Sequence, residues 1–257
     1  MSVGEAQTHA ARSLPRVAWG LTVTIAAVLA VAWLITWLTA SDYSALLMMQ
    51  LRGAAPTETL WFLGLSGITM VAMMLPSALP MVATYRGLAA TEAGTTEAGV
   101  RTALFSAGYF AVWTAFTALS LLALATLGFM GSMEGPLMYM PGVLLVTAGV
   151  YQLTRWKQFC LSHCRSPLGF VLGHWRSGRR AAVRMGLDHA AYCVGCCWLL
   201  MLVLFVAGAM SLLWMGVFSL LILTEKVWSK GEAFAKAAGI VSLVVGGTSL
   251  AFTALSP

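Results

Sequence analysis

A chain of 257 residues that is 60% hydrophobic and only 9% charged is not an ordinary soluble domain, in which about a quarter of residues carry charge. Its formal charge of +6 comes from a few arginines and lysines set between apolar runs. That pattern points to membrane topology and contact with anionic lipid, and away from nucleic-acid binding.

A bilayer-spanning helix needs about 20 mainly apolar residues, and the runs can be taken in chain order. A short tail, residues 1–16, is expected to be cytoplasmic. The first run, Val17–Thr39, follows Arg12 and Arg16 and so looks like a signal peptide. Its length of about 23 residues exceeds the 7–15 of a signal h-region, and it is read as a span. Leu60–Thr84, Thr102–Leu127 and Leu137–Leu153 follow. A basic inner loop at about 154–189, interrupted by Ser166-Pro167 and Ser177-Gly178, has room for a surface helix or a re-entrant turn. The last runs are about Ala190 to Ala207, Leu212 to Trp228 and Ala237 to Leu255. The expected fold is all-α: a single transmembrane domain over 17–255, a bundle of about seven spans.

Charge sets the orientation, because cytoplasmic loops are enriched in Lys and Arg. With the N-terminus inside and the C-terminus outside, Arg52 is the one basic residue outside. The other fourteen of the fifteen Lys and Arg residues lie inside. Fusing the fifth and sixth spans would move Lys226, Lys230 and Lys236 outside, so the short connection 208–211 is read as a true turn. The expected compartment is the cytoplasmic membrane, and the lipid bilayer is the first partner.

All five cysteines fall between Cys160 and Cys197, around the basic loop. Residues four apart share a helix face. Met185, His189, Cys193, Cys197 and Met201 recur at that step, with Cys196 beside Cys193. Cys160, His163 and Cys164 form a second group at the inner end of the fourth span. If the two groups converge across a helix pair, they offer thiols, imidazole and thioether to one ion. Such ligands favour Cu(I), with Zn(II) allowed. The plain alternative is that cysteine packs here as a small hydrophobe. A c-type haem is excluded, because Cys193-Val194-Gly195-Cys196 is followed by Cys197 and not by His.

Methionine gives the second signal, with 15 in the chain. Met70, Met73 and Met74 share a face of the second span. Met48, Met49, Met130, Met133, Met138, Met140, Met210 and Met215 fall towards the outer side. Thioether sulfur stays a ligand in an oxidising compartment where thiols pair, so Met70, Met73, Met74 and Met201 form a candidate metal route between outer methionines and inner cysteines. Pro76 and Pro80 can open the second span beside that route. Glu225 and Lys226 are expected to snorkel to the inner headgroups. In the alternative, Glu225, or Asp188 beside His189, serves the thiol site.

Several of these segments together resemble a known bacterial family. They are Met73-Met74-Leu75-Pro76, Tyr151-Gln152 through Lys157, Cys160-Leu161, Cys164-Arg165-Ser166-Pro167, and Gly186 through Cys193-Val194-Gly195-Cys196-Cys197-Trp198 to Gly208-Ala209-Met210 and Glu225-Lys226. The family is catalogued as predicted metal-binding integral membrane proteins with a domain of unknown function, and the likeness runs from about Trp61 to Gly231. It implies metal binding without naming the metal. The function expected is transition-metal handling in the membrane, copper foremost, by transport, by delivery to a partner protein or by sensing, with a binding role favoured over an enzymatic one. Two alternatives stay open: a membrane thiol-disulfide oxidoreductase using Cys193 with Cys196 or the Cys196-Cys197 pair, and a noncatalytic assembly subunit.

Overall fold

The computed structural model describes residues 3–42, 46, 49, 55–126, 138–207 and 211–255. Its elements are helices: α1 (Val3–Leu38), α2 (Pro56–Thr126), α3 (Met140–Gln152), α4 (Arg155–Arg165), α5 (Pro167–His174), α6 (Arg179–Ala207), α7 (Leu212–Val227) and α8 (Gly231–Leu255). Three stretches are long and apolar enough to cross a membrane, Pro56–Ser120, Arg179–Val206 and Gly231–Leu255. Thr22–Leu38 and Met140–Gln152 are apolar but shorter.

The second and third expected spans belong to one element. At 71 residues and 1.5 Å per residue, α2 would far exceed a hydrocarbon core of about 30 Å if straight. It breaks at Gly94, whose φ of 78° and ψ of 170° suit a residue without Cβ. The stretch 85–101, expected as a connecting loop, is helical on both sides of that kink. Ala89, Ala90, Ala93 and Ala98 are strong helix formers, and the charges are engaged. Arg101 pairs with Glu92 at 3.3 Å and Glu97 at 3.2 Å, and Arg179 at the start of α6 pairs with Glu97 at 2.9 Å. The Ser177 hydroxyl donates to Glu92 as well.

α6 begins at Arg179, well before the expected start near Ala190. Its first turns are amphipathic: Arg180, Arg184, Leu187 and Asp188 are exposed, while Ala181, Ala182 and Met185 are buried. Averaged hydropathy sees only the charges there, whereas the helix is carried by the period. The basic loop in front of it folds into two short helices. Thr154 caps α4 by accepting from the Lys157 amide at 3.3 Å, and Pro167 starts α5 at a position that needs no N–H. Between α6 and α7, Ser211 is extended, so the fifth and sixth expected runs are separate helices.

Packing places α6 against both arms of α2, with α4 and α7 alongside, and pairs α3 with α8. The α3–α8 contact is backbone to backbone. A Cβ on Gly149 would lie 2.7 Å from the Gly239 carbonyl oxygen, and one on Gly239 would lie 2.7 Å from Gln152 Cβ, so small residues set this approach as in other close helix pairs. The central core is sulfur-rich. Met70, Met73, Met74, Met201 and Met215 are buried with Tyr109, Trp113 and four of the cysteines. Pro76 and Pro80 lie inside α2 without ending it, and beside them the Ser219 hydroxyl of α7 donates to the Met73 carbonyl at 2.9 Å. Of the methionines expected on the outer side, Met48, Met130, Met133 and Met210 lie outside the described residues. Met49 and Met138 are exposed and Met215 is buried.

Candidate metal centre

The stripe on α6 is buried along its length. His189, Cys193, Cys197 and Met201 lie one turn apart and Cys196 stands beside them, none more than 2% exposed. The sulfurs of Cys193, Cys196 and Cys197 lie within 4.8 Å of one another. Local bonding holds them inward, because the thiols of Cys196 and Cys197 both donate to the Cys193 carbonyl at 3.1 Å. This is the i−3 and i−4 back-bonding that short polar side chains make inside helices.

The earlier group divides across two faces of α4. Lys157, Leu161 and Cys164 form the buried face, and Cys164 packs into the same core cluster as Cys193, Cys196 and Cys197. Cys160 is half-buried and rests on the backbone of α6: a Cβ on Gly195 would be 2.7 Å from its sulfur. His163 turns away from the sulfurs. Its ring stacks on Tyr192 with centroids 4.3 Å apart and planes 3° from parallel. Of the seven expected ligand residues, Cys164, Cys193, Cys196 and Cys197 thus come together, with His189 one turn below, while Cys160 and His163 flank them.

Charge inside the site comes from Lys226, which the sequence placed at the headgroups, and from Glu225, which it offered to the site only as the alternative. Glu225 and Lys226, expected to reach for headgroups, are only 1% and 6% exposed. Lys226 Nζ lies 2.9 Å from Cys193 Sγ and 3.2 Å from the Ser77 hydroxyl, and the Tyr109 hydroxyl also meets Cys193 Sγ at 2.9 Å. Glu225 takes Lys157 at 2.6 Å and the Gln152 amide at 2.7 Å. Snorkelling was the wrong expectation because each charge has a partner indoors. Asp188 is exposed and takes no part.

A buried ammonium such as that of Lys226, left without a partner, is penalised by several kcal/mol, and among the described residues no carboxylate pairs with it. Cys193 Sγ accepts from it, so this sulfur is the group that faces the buried charge.

His189 sits in an aromatic box, against Tyr109 at 5.3 Å, Phe105 at 6.2 Å and Phe170 at 5.4 Å. Both its ring nitrogens are buried without a hydrogen-bond partner among the described residues. Buried polar atoms are nearly always paired, so an imidazole left open one turn from Cys193 has an unused lone pair.

Helix α4 also holds the end of α7. Arg165 donates to the carbonyls of Glu225 at 2.6 Å, Trp228 at 2.8 Å and Ser229 at 3.0 Å. The Tyr151 hydroxyl donates to the Gly195 carbonyl, which ties the end of α3 to the cysteine turn.

The donor set fits a soft ion. Metal–sulfur bonds of about 2.3 Å place sulfurs about 4 Å apart in a trigonal plane and at most about 4.6 Å apart in a line. Three sulfurs within 4.8 Å of one another meet either case with only rotamer adjustment. Thiolates with thioether neighbours select Cu(I) over harder ions.

Comparison with known proteins agrees with that chemistry. The model of a family described as the copper chaperone PpoB2 matches residues 59–249, from the start of α2 into α8. No curated protein and no solved structure matches the chain.

Proposed function

The chain belongs to the copper chaperone family PpoB2, and from that premise we propose that it is a membrane-embedded carrier that holds Cu(I) on Cys193, Cys196 and Cys197 and hands it to a partner protein. The observation that carries the reading is the buried sulfur triangle with an ammonium against one corner. Cu(I) on two thiolates bears one negative charge, which Lys226 cancels. The third thiol, with Cys164 beside it, gives the ion a next position, and His189 supplies a nitrogen one turn away. Zn(II) suits the same donors less well, since a fourfold thiolate shell would leave excess negative charge in the core.

The proposed setting is the bacterial inner membrane. Residues 1–16 form a cytoplasmic tail, residues 17–255 form one domain of about seven spans, and α4, α5 and the start of α6 lie at the inner face. Exposed apolar side chains on α1 and α8, such as Val23, Val31, Val241, Val244 and Phe252, suit lipid contact. The buried row of Met70, Met73, Met74 and Met201 beside the cysteines supplies thioether steps for an ion crossing towards or away from them. The sequence alternative of reversible disulfide chemistry uses the same sulfurs, and one experiment separates the two.

Anaerobically purified protein is expected to bind about one Cu(I) per chain with sulfur ligation. The Cys193→Ser/Cys196→Ser/Cys197→Ser variant is expected to bind none tightly. Elemental analysis and X-ray absorption check this. Undiminished stoichiometry and affinity in the variant would remove the ligand assignment, and a disulfide that cycles with a redox buffer in metal-free protein would favour the oxidoreductase. For the route, Met73→Leu/Met74→Leu keeps apolar volume, at a stability cost of less than about 1.5 kcal/mol, and removes two thioethers. Copper bound at the cysteines should remain while its movement across reconstituted vesicles slows. Unchanged movement would eliminate the methionine row.

A further inference from the structure

We propose that His163 and His174 form a second metal site, a surface station of two imidazoles where copper passes between the buried sulfurs and an outside carrier. The station lies in a cavity of about 340 Å³ on the α4–α5 hairpin, lined by Ser162, His163, Ser166, Gly169, Phe170 and His174. The exchange role rests on the copper-carrier reading above. The imidazole site itself does not.

Hydrogen bonding fixes both rings in the ligand-ready form. His163 Nδ1 is 2.9 Å from the Phe159 carbonyl oxygen, and His174 Nδ1 is 3.0 Å from that of Phe170. A carbonyl oxygen only accepts, so each Nδ1 carries a proton, and in the neutral ring that leaves the lone pair on Nε2. An Nδ1–H bonded to a carbonyl is the outer-shell arrangement that orients metal-bound histidine and raises its basicity. Imidazole pairs accept copper in either oxidation state, as well as zinc and nickel, whereas the buried thiols are selective. Differing softness suits a station where an ion arrives or leaves.

Position links the station to the sulfurs. The Phe170 ring stacks on His174 at 4.4 Å on the cavity side and meets His189 at 5.4 Å on the buried side. The His163 ring lies flat on Tyr192, the residue before Cys193. One layer of aromatic rings therefore separates the cavity from the buried site. His189, with both nitrogens unpartnered, stands just behind that layer.

The test uses full-length untagged protein in detergent. A cysteine-free variant, with all five cysteines changed to Ser, is titrated with Cu(II) and followed by electron paramagnetic resonance. It should show copper coupled to imidazole nitrogen. Adding His163→Phe and His174→Phe, which keep the ring stacking, should weaken that binding at least about tenfold, one RT ln 10 step of affinity. Nitrogen-coupled copper that persists unchanged would belong to His9 or His189 and would overturn the site, as would its absence from the cysteine-free protein.

Should the cysteine-free chain fail to remain monodisperse, the parent loaded with Cu(I) takes its place. Ni(II) retained per chain, with and without the two Phe substitutions, then decides the question in the same way. For exchange, His163→Phe/His174→Phe in the cysteine-containing protein should keep its Cu(I) content and lose it to a soluble chelator at least about tenfold more slowly. An unchanged rate would overturn the exchange role. A parent that binds no Cu(I) would defeat the carrier reading and leave the imidazole result standing on its own.

Discussion

Replacing Lys226 with Met is expected to lower Cu(I) affinity by about a hundredfold while leaving the protein as stable as before or more so. The ammonium lies 2.9 Å from Cys193 Sγ, and at an effective dielectric of about 20 a charge pair at 4 Å is worth about 4 kcal/mol. Even with part of that recovered by relaxation, a loss of roughly 3 kcal/mol is two decades of affinity. Stability is spared because the partner is a thiol, which packs as a small hydrophobe once the ammonium is gone. Competition with a Cu(I) chelator measures the first effect, and thermal unfolding in detergent at a fixed scan rate measures the second. Unaltered affinity would mean that Lys226 is not the counter-charge of the site.

The other buried lysine should behave in the opposite way. Lys157→Met leaves Glu225 in the core with only the Gln152 amide, and removing one partner of a buried pair typically destabilises by about 3–5 kcal/mol. A thiol left without its lysine packs as a small hydrophobe, whereas a carboxylate left without its lysine is a buried charge short of a partner, and this difference separates the two lysines. The double variant Lys157→Met/Glu225→Met should regain most of the lost stability, since apolar replacement of a whole buried pair is often neutral. A Lys157→Met protein that melts with the parent would refute the pairing.

The cysteine turn on α6 was legible in the sequence, because His189, Cys193, Cys197 and Met201 follow the helical period and a helix long enough to hold them is nearly assured in so apolar a run. The division of α4 was less so. Cys160, His163 and Cys164 read as one group until the helix is known to start at its Thr154 cap, which puts Cys164 on the face of Lys157 and Leu161 and turns His163 towards Tyr192. Tyr109 and Ser77 carried no pattern, since they come to Cys193 from α2 through tertiary packing alone. Lys226 left two traces, as part of the resembling segment Glu225-Lys226 and as an ionisable residue beside a long apolar run, which in a membrane protein marks a functional position. Its place near the expected inner boundary made headgroup contact look sufficient. The continuous α2 was missed for a related reason: Glu92, Glu97 and Arg101 lower hydropathy without lowering helix propensity much, and only Gly94 interrupts the backbone.

Helix α4 is pinned to the end of α7 at two places, by the Lys157 ammonium on the Glu225 side chain and by Arg165 on three backbone carbonyls. Eight residues along a helix are about 12 Å. A rod fastened at one point can swivel, and a rod fastened at two points that far apart cannot. Cys164 stands next to the second pin, so α4 does not swing open over the sulfurs like a hinged flap. On the copper-carrier proposal, an ion moving among Cys164, Cys193, Cys196 and Cys197 would rely on rotation about single side-chain bonds, a motion of picoseconds to nanoseconds when side chains are free, and its passage would be timed by how tightly the surrounding rings grip those side chains.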